Sequence, residues 1–103
     1  MILKTEIQLL PSTDLPSFKE LITVFEKVFE MRDFKMPKDS HLQEVLNKEN
    51  FFAVIATLNN KVIAGLTAYV LEQYYAESPL CYIYDLAVLT VHQRKGISMD
   101  AKS

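Results

Sequence analysis

Two segments near the end of the sequence carry residue types whose spacing could support chemistry. The apolar run LCYIYDLAVL holds one carboxylate, Asp85, and a short stretch later comes the hexapeptide QRKGIS at Gln93–Ser98. Burial and β-propensity both deplete aspartate from the middle of an apolar strand, so something must compensate its charge. Asp85 therefore either holds a substrate ammonium and accepts its proton, or is tied to a backbone amide or a buried Lys or Arg.

The hexapeptide has the features of a helix start that binds an anion. Gly96 removes the side chain that would keep a phosphate away from successive backbone N–H groups, and Arg94 and Lys95 add positive charge. A helix beginning there would direct unpaired amides and the positive end of its dipole at a pyrophosphate. Taken alone, the pattern is weak, because a solvated glycine-containing loop also satisfies it. The GxGxxG and P-loop motifs are excluded, because the only glycines are Gly65 and Gly96.

The first part of the chain predicts a strand and a helix. Apolar and polar residues alternate from Leu3 to Leu9, which predicts a half-buried strand. Asp14 is a good N-cap, with Pro16 in the first helical turn. An apolar stripe at helical spacing follows, made up of Phe18, Leu21, Ile22, Phe25, Val28 and Phe29.

The middle of the chain predicts a second helix and then three antiparallel strands. The segment MRDFKMPKD breaks the helical period, and Ser40 with Gln43 resembles a capping box for a short helix beyond it. Asn59–Asn60 separates the β-rich runs FFAVIATL and KVIAGLTAYVL and predicts a tight hairpin turn. A second turn around Ala76–Pro79 leads into the strand that contains Asp85. This order predicts an α+β fold.

The size and composition describe one ordinary globular domain. The chain has 103 residues, 50% of them hydrophobic, and a formal net charge of −2. Its Lys and Arg residues are scattered, so we expect no nucleic-acid partner. No apolar run approaches membrane-spanning length, so we expect no membrane partner and a cytoplasmic location. The single cysteine, Cys81, excludes an internal disulfide, has no metal-ligand spacing, and is expected to be a buried free thiol.

The whole pattern resembles a known superfamily. The order strand, helix, helix, hairpin, strand and then a QxxGxG or QxxGxA loop is that of the GCN5-related N-acetyltransferases up to their coenzyme A loop. The segments LITVFEKVFE, FFAVIAT, VIAGLTAYVL, YIYDLAV and HQRKGI are most similar to the aminoglycoside 3-N-acetyltransferases. The resemblance runs from about Leu21 to Ile97, and it implies a mixed, mostly antiparallel sheet. Ser98 departs from the pattern, since the family prefers Gly or Ala there.

The resemblance also implies a set of site residues. Acetyl-CoA would be the acetyl donor, and the backbone amides of Leu86, Ala87 and Val88 would lie near its thioester carbonyl and bind the developing oxyanion. Asp85 would be the catalytic residue that holds or deprotonates a primary amine, with aminoglycosides as candidate acceptors. The pyrophosphate would be held by the amides of Gln93, Arg94, Lys95, Gly96, Ile97 and Ser98.

Acidic and aromatic residues elsewhere could complete an acceptor cleft. A polycationic sugar requires acidic surroundings, although such charges also occur simply as a solvated face. The candidates are Glu26, Glu30, Asp33, Glu72 and Glu77. The five tyrosines are expected to be packing residues with a wet hydroxyl, one or two of which could line the cleft.

The family's domain continues beyond the loop with further helices and strands. We therefore expect residues 1–103 to be one C-terminally truncated N-acetyltransferase domain, weak or inactive as a monomer. The strand from Leu80 to Leu89 would have an unpaired edge, which predicts a homodimer in which a second copy covers it. The alternative is a non-catalytic remnant that at best binds coenzyme A, or a dimerising interaction domain.

Overall fold

A computed structural model gives the fold of residues 5–89. Its elements, in chain order, are β1 (Thr5–Leu9), α1 (Leu15–Val28), α2 (Asp39–Leu46), β2 (Phe51–Leu58), β3 (Lys61–Leu71) and β4 (Leu80–Val88). The described strands form one sheet in the order β1-β2-β3-β4, and each neighbouring pair is antiparallel. The predicted α+β class is confirmed. The predicted helix start at Gln93–Ser98 lies outside the described residues.

Helix α1 forms because its first turn is capped and one of its faces is apolar. Asp14 is the N-cap, and its side chain accepts a hydrogen bond from the Ser17 backbone N–H at 3.2 Å, as the sequence predicted. The apolar face packs on the sheet, where Leu21 is completely buried against Gly65 of β3. The other buried residues of this face are Phe18, Val24 and Phe25. Phe29 lies past the last turn and is partly exposed.

Helix α2 is present, but its predicted capping box is wrong. The N-cap is Lys38, which makes no side-chain capping bond, and Ser40 lies inside the helix. The Gln43 side chain instead donates to the Ser12 carbonyl at 2.7 Å and to Asn47 Oδ1 at 3.0 Å. The box fails because α2 begins before Ser40, and the Gln43 amide nitrogen binds a carbonyl 31 residues away in sequence.

The hairpin that joins β2 and β3 turns where the sequence predicted. Asn59 and Asn60 both adopt left-handed backbone angles, with φ of 53° and 69°. Two consecutive residues at positive φ are the geometry of a type I′ turn, which asparagine tolerates and most residues do not. The turn fixes the register between β2 and β3, and so sets which face of β3 meets α1.

Strand β1 is more exposed than its alternating pattern predicted. All five of its residues are exposed, including Ile7 and Leu9. One reason for this correction is that β1 is at the edge of the described sheet. The other is that the Ile7 and Leu9 side chains lie on the face away from α1, because they pair with Ala56 and Val54 and not with Ile55.

The first half of β4 is also exposed, which corrects the prediction for Cys81. Residues 80–84 are exposed, and the Cys81 thiol is exposed rather than buried. No described element covers this part of the β3–β4 hairpin, whereas Ala87 and Val88 at the other end of β4 are buried. The apolar residues of LCYIYDLAVL do not indicate at which position of β4 the packing against other elements ends.

Neither of the two described helices could cross a membrane, because neither is both long enough and apolar enough. The longer one, α1, has 14 residues. A span of the hydrocarbon core needs about 20.

Candidate functional site

An irregularity in β4 places Tyr84 and Asp85 on the same face of the sheet. Thr67 on β3 pairs with Asp85, but the next residue of β3, Ala68, pairs with Ile83, so Tyr84 has no partner. An extra residue of this kind is a β-bulge, and it interrupts the alternation of side chains between the two faces. Consecutive side chains, one aromatic and one acidic, therefore reach the same cavity.

The cavity lies between α1, the segment after it and the β3–β4 ladder, and has a volume of about 230 Å³. Its walls are mainly aromatic and aliphatic side chains: Phe18, Ile22, Phe25, Met31, Phe34, Val45, Phe51, Tyr69 and Tyr84. Among the described lining residues, Asp85 is the only charged one and Thr67 the only aliphatic alcohol. The site is thus an apolar hollow with one anionic group at its edge.

Asp85 has no compensating partner within residues 5–89. Its side chain makes no hydrogen bond or ion pair there, so neither the backbone amide nor the Lys or Arg that would mark a structural carboxylate is present in this range. Partial burial raises the pKa of the Asp85 carboxyl above its ordinary value of 3.8. The carboxylate is consequently a better proton acceptor than one in water.

Thr67 stands opposite Asp85 on β3 and was missed by reasoning from the sequence. It is the only polar residue in the buried core of the described chain, with 5% of its surface exposed. Its hydroxyl has no hydrogen-bond partner among residues 5–89, although buried polar groups nearly always have one. The sequence signal is a single Thr within the apolar run KVIAGLTAYVL, but only the strand register shows that it faces Asp85.

Two of the five tyrosines line the cavity. The rings of Tyr69 and Tyr84 meet edge to face, with centroids 6.0 Å apart and planes at 82°. Tyr69 also packs on Phe51 at 5.1 Å, which ties the pair to the core. Tyr84 has 64% of its surface exposed and so stands where the cavity opens to solvent. The expectation that one or two tyrosines could line a cleft is consistent with this arrangement.

The acidic residues named above do not converge on Asp85. Glu72 and Glu77 lie on the β3–β4 loop, where they line a separate hollow with Tyr74 and Tyr75. None of the remaining three, Glu26, Glu30 and Asp33, lines the Asp85 cavity.

The second half of β4 offers backbone groups to an extended ligand. Leu89 donates its N–H to the Ile63 carbonyl on β3 at 2.9 Å. Since directions alternate along an antiparallel ladder, the N–H of Ala87 also faces β3, whereas that of Leu86 faces the opposite side. No described strand lies on that side, because β4 is at the edge of the described sheet. An edge of this kind suits a ligand with amide groups, but the Ala87 amide, which was predicted to lie near the thioester carbonyl, faces β3 instead. Gln93–Ser98 lie outside the described residues.

Comparison with known proteins decides the family. Residues 16–98 match the Acetyltransferase (GNAT) family. The chain belongs to this family. The resemblance of its strand and loop segments to this superfamily is thereby confirmed. No curated protein matches the chain.

Solved structures of aminoglycoside acetyltransferases have the same fold. An aminoglycoside acetyltransferase, meta-AAC0020, from an uncultured soil metagenomic sample is 55% identical, with a TM-score of 0.88, and was solved in complexes with trehalose and with sisomicin. A second aminoglycoside acetyltransferase of soil metagenomic origin, HMB0005, is 27% identical with a TM-score of 0.84. AAC(6')-Iy, solved with CoA, is 19% identical with a TM-score of 0.67 and shares the fold.

The matched part of these relatives is not their whole length. The alignment with meta-AAC0020 covers 91% of this chain and 62% of that protein, and the alignment with HMB0005 covers 91% and 64%. The alignment with AAC(6')-Iy covers 94% and 63%. The chain thus spans a little under two thirds of these relatives.

Proposed function

We propose that the chain carries the acceptor side of an acetyl-CoA-dependent N-acetyltransferase that acts on a primary amine, with aminoglycosides as the acceptor class. The environment of Asp85 is the observation that carries the proposal. Its carboxylate is partly desolvated, has no partner in the described residues and lines a cavity, and its strand has no described neighbour on the outer side. The 55% identical relative is an aminoglycoside acetyltransferase solved with sisomicin, which supports this acceptor class.

Asp85 accepts the proton in this mechanism. An amine is a nucleophile only after its ammonium form has lost a proton, and the raised pKa of the Asp85 carboxyl makes that transfer easier. The proton moves from the ammonium nitrogen to the Asp85 carboxylate, and the nitrogen lone pair is then free to attack an acyl carbon. Cys81 takes no part as a nucleophile, since it lies on β4 four residues before Asp85 and does not line the cavity.

Within the predicted segment Leu86–Val88, the backbone of Leu86 takes the cofactor role. Acetyl-CoA, when bound, supplies the thioester whose carbonyl carbon the amine attacks and whose thiolate leaves. The Leu86 N–H faces the open side of β4, where it would donate to the developing oxyanion, a task that requires backbone direction rather than a particular side chain. Gln93–Ser98 would hold the pyrophosphate through their backbone amides.

The partner proposed along β4 is a second copy of the chain. Leu80, Tyr82 and Ile83 are each about half exposed or more on this strand, whose outer side no described strand pairs. Exposed apolar side chains next to an open edge are the usual setting for pairing between chains.

A two-step experiment tests the function. Calorimetric titration with acetyl-CoA should show saturable binding that Gly96→Glu abolishes, because a carboxylate there would fill the anion site and repel the phosphates. Incubation with acetyl-CoA and sisomicin should then give an acetylated product by mass spectrometry. Binding without any transfer would favour the non-catalytic remnant that binds coenzyme A. Absence of both would contradict the proposal.

A further inference from the structure

The Asp85 cavity combines two features that point to the form in which the acceptor binds. It presents one carboxylate and one buried hydroxyl without a partner in the described residues, on facing positions of β3 and β4. The rest of its described lining is apolar, and much of it is aromatic. A neutral polar ligand would find few hydrogen-bond partners there, whereas a cation would meet both a negative charge and aromatic faces.

We propose that this cavity is a cation site for a protonated ring amine, in which Thr67, Tyr69 and Tyr84 act with Asp85 to select the acceptor. The inference rests on the proposed function and assigns roles to three residues that the chemistry of the transfer does not itself require. Thr67 and the two tyrosines are specificity-determining residues, because they contact the acceptor rather than the group transferred.

The Thr67 hydroxyl supplies a hydrogen-bond acceptor that the fold leaves unused. A buried hydroxyl without a partner destabilises the protein, and valine would fill the same volume without that cost. An ammonium group placed between Thr67 and Asp85 would donate one N–H to the hydroxyl and another to the carboxylate. This second contact fixes the rotation of the ammonium group about its C–N bond, which a single carboxylate cannot do.

Tyr69 and Tyr84 supply aromatic walls. Their rings stand at 82° to each other with centroids 6.0 Å apart, so they form a corner beside Asp85. A cation within about 6 Å of a tyrosine ring centre is attracted by the ring electrons, more strongly where water is excluded. The apolar side of a sugar or cyclitol ring can lie on the same surface.

The volume of the cavity limits the acceptor to one ring at a time. Pockets for drug-sized ligands usually measure about 300–1,000 Å³. The 230 Å³ beside Asp85 is below that range and suits a single six-membered ring with its amine. The other rings of an aminoglycoside would extend past Tyr84 into solvent.

The test compares two ligands on two matched pairs of variants and the unchanged chain, without any acetyl-CoA. Sisomicin is the cationic probe and trehalose the neutral one, and binding is followed by calorimetry. Thr67→Val is matched with Thr57→Val, which makes the same chemical change on β2, away from the cavity. Tyr84→Leu is matched with Tyr84→Phe, which keeps the ring, and each variant is compared with the unchanged chain.

The expected pattern separates a ligand role from a structural one. Thr67→Val should weaken sisomicin binding about 10-fold, the loss of one hydrogen bond to a charged group, while raising Tm by roughly 5 °C because a buried unpaired hydroxyl is removed. Tyr84→Leu should weaken binding about 3-fold and Tyr84→Phe should leave it unchanged. Thr57→Val should leave sisomicin affinity unchanged, and trehalose should bind more weakly than sisomicin throughout.

Two results would overturn the site. The first is that sisomicin does not bind, or binds equally well to Thr67→Val, Tyr84→Leu and the unchanged chain. The second is a lowered Tm in Thr67→Val, which would show that the Thr67 hydroxyl has a structural partner. These outcomes are distinct from failure of the proposed function. Sisomicin binding that these variants weaken, without any acetyl transfer, would support the site and contradict the proposed activity. Acetyl transfer with sisomicin binding that the variants do not change would support the activity and contradict the site.

Discussion

Asp85 makes the stability of the protein depend on pH in a direction opposite to that of a salt-bridged carboxylate. Burial raises the pKa of its carboxyl in the folded chain above the ordinary value of 3.8. The folded state therefore binds more protons than the unfolded state between the two pKa values. The contribution of this group to stability is fully present below the unfolded pKa and is lost as pH rises through the folded pKa.

The variant Asp85→Asn should remove this loss. Relative to the unchanged chain, its free energy of unfolding should become larger, meaning greater stability, as pH rises from about 4 through the folded-state pKa of Asp85, because asparagine does not ionise. Urea unfolding followed by circular dichroism at a series of pH values measures the difference. Glu49→Gln, at an exposed turn residue, controls for the loss of one negative charge. A difference between Asp85→Asn and the unchanged chain that stays constant with pH would contradict the pKa direction.

At the residue scale, sequence reasoning found Asp85 but not the group that faces it. An aspartate inside LCYIYDLAVL conflicts with its surroundings and can be noticed without a structure. Thr67 produces no such conflict, because threonine is common in strands. Its significance comes from the pairing with Asp85 and from the extra residue Tyr84, and both depend on the register between two strands.

At the scale of elements, the close contact between α1 and β3 positions the strand that carries the site. Gly65 lies under Leu21, and it pairs with Ala87 on β4. A Cβ at Gly65 would stand 2.6 Å from the Val54 carbonyl oxygen and would also run into the Leu21 side chain. The backbone oxygen cannot move without distorting β2, so the glycine is required by close packing rather than by its φ angle.

Gly65→Ala should therefore destabilise the fold by roughly 1–3 kcal/mol, the usual cost of overpacking a core. Thermal unfolding measures the change, and Leu21→Ala gives a second background in which the helix side of the clash is relieved. The destabilisation by Gly65→Ala should be smaller in that background. A raised Tm for Gly65→Ala, as lower unfolded-state entropy alone would give, would show that α1 and β3 are further apart.

Local features of these elements could be predicted, and features that depend on distant partners could not. The Asp14 cap and the Asn59–Asn60 turn act within a few residues, and both were predicted correctly. The Ser40–Gln43 box failed because Lys38 is the N-cap, and Gln43 instead binds Ser12, far away in sequence. The burial predicted for β1 and Cys81 failed for a related reason: a pattern shows which residues could be covered, not which element covers them.

At the scale of the whole molecule, the described sheet has two edges that differ in composition and cover. Strand β4 has exposed apolar residues along its first half, and β1 exposes Ile7 and Leu9 on the face away from α1. A homodimer through β4 would cover the first of these surfaces and leave the second unchanged.

Light scattering at micromolar concentration should accordingly show a dimer. Ile83→Lys should shift the population to monomer, because a lysine would have to be buried in the interface. Ile7→Lys makes the same substitution on the other edge strand and should leave the dimer intact. Monomer alone in the unchanged chain would rule out the dimer, and loss of the dimer only in Ile7→Lys would assign the contact to β1.

One comparison shows whether Asp85 accepts the proton of an acceptor amine. The rate of acetyl transfer from acetyl-CoA to sisomicin is measured for the unchanged chain and for Asp85→Asn, together with the affinity of each for acetyl-CoA. We expect kcat to fall at least about 100-fold in Asp85→Asn, the usual contribution of a general base, while the affinity for acetyl-CoA is retained. An unchanged kcat, or an equal loss of rate and of acetyl-CoA affinity, would contradict it and make Asp85 a structural residue.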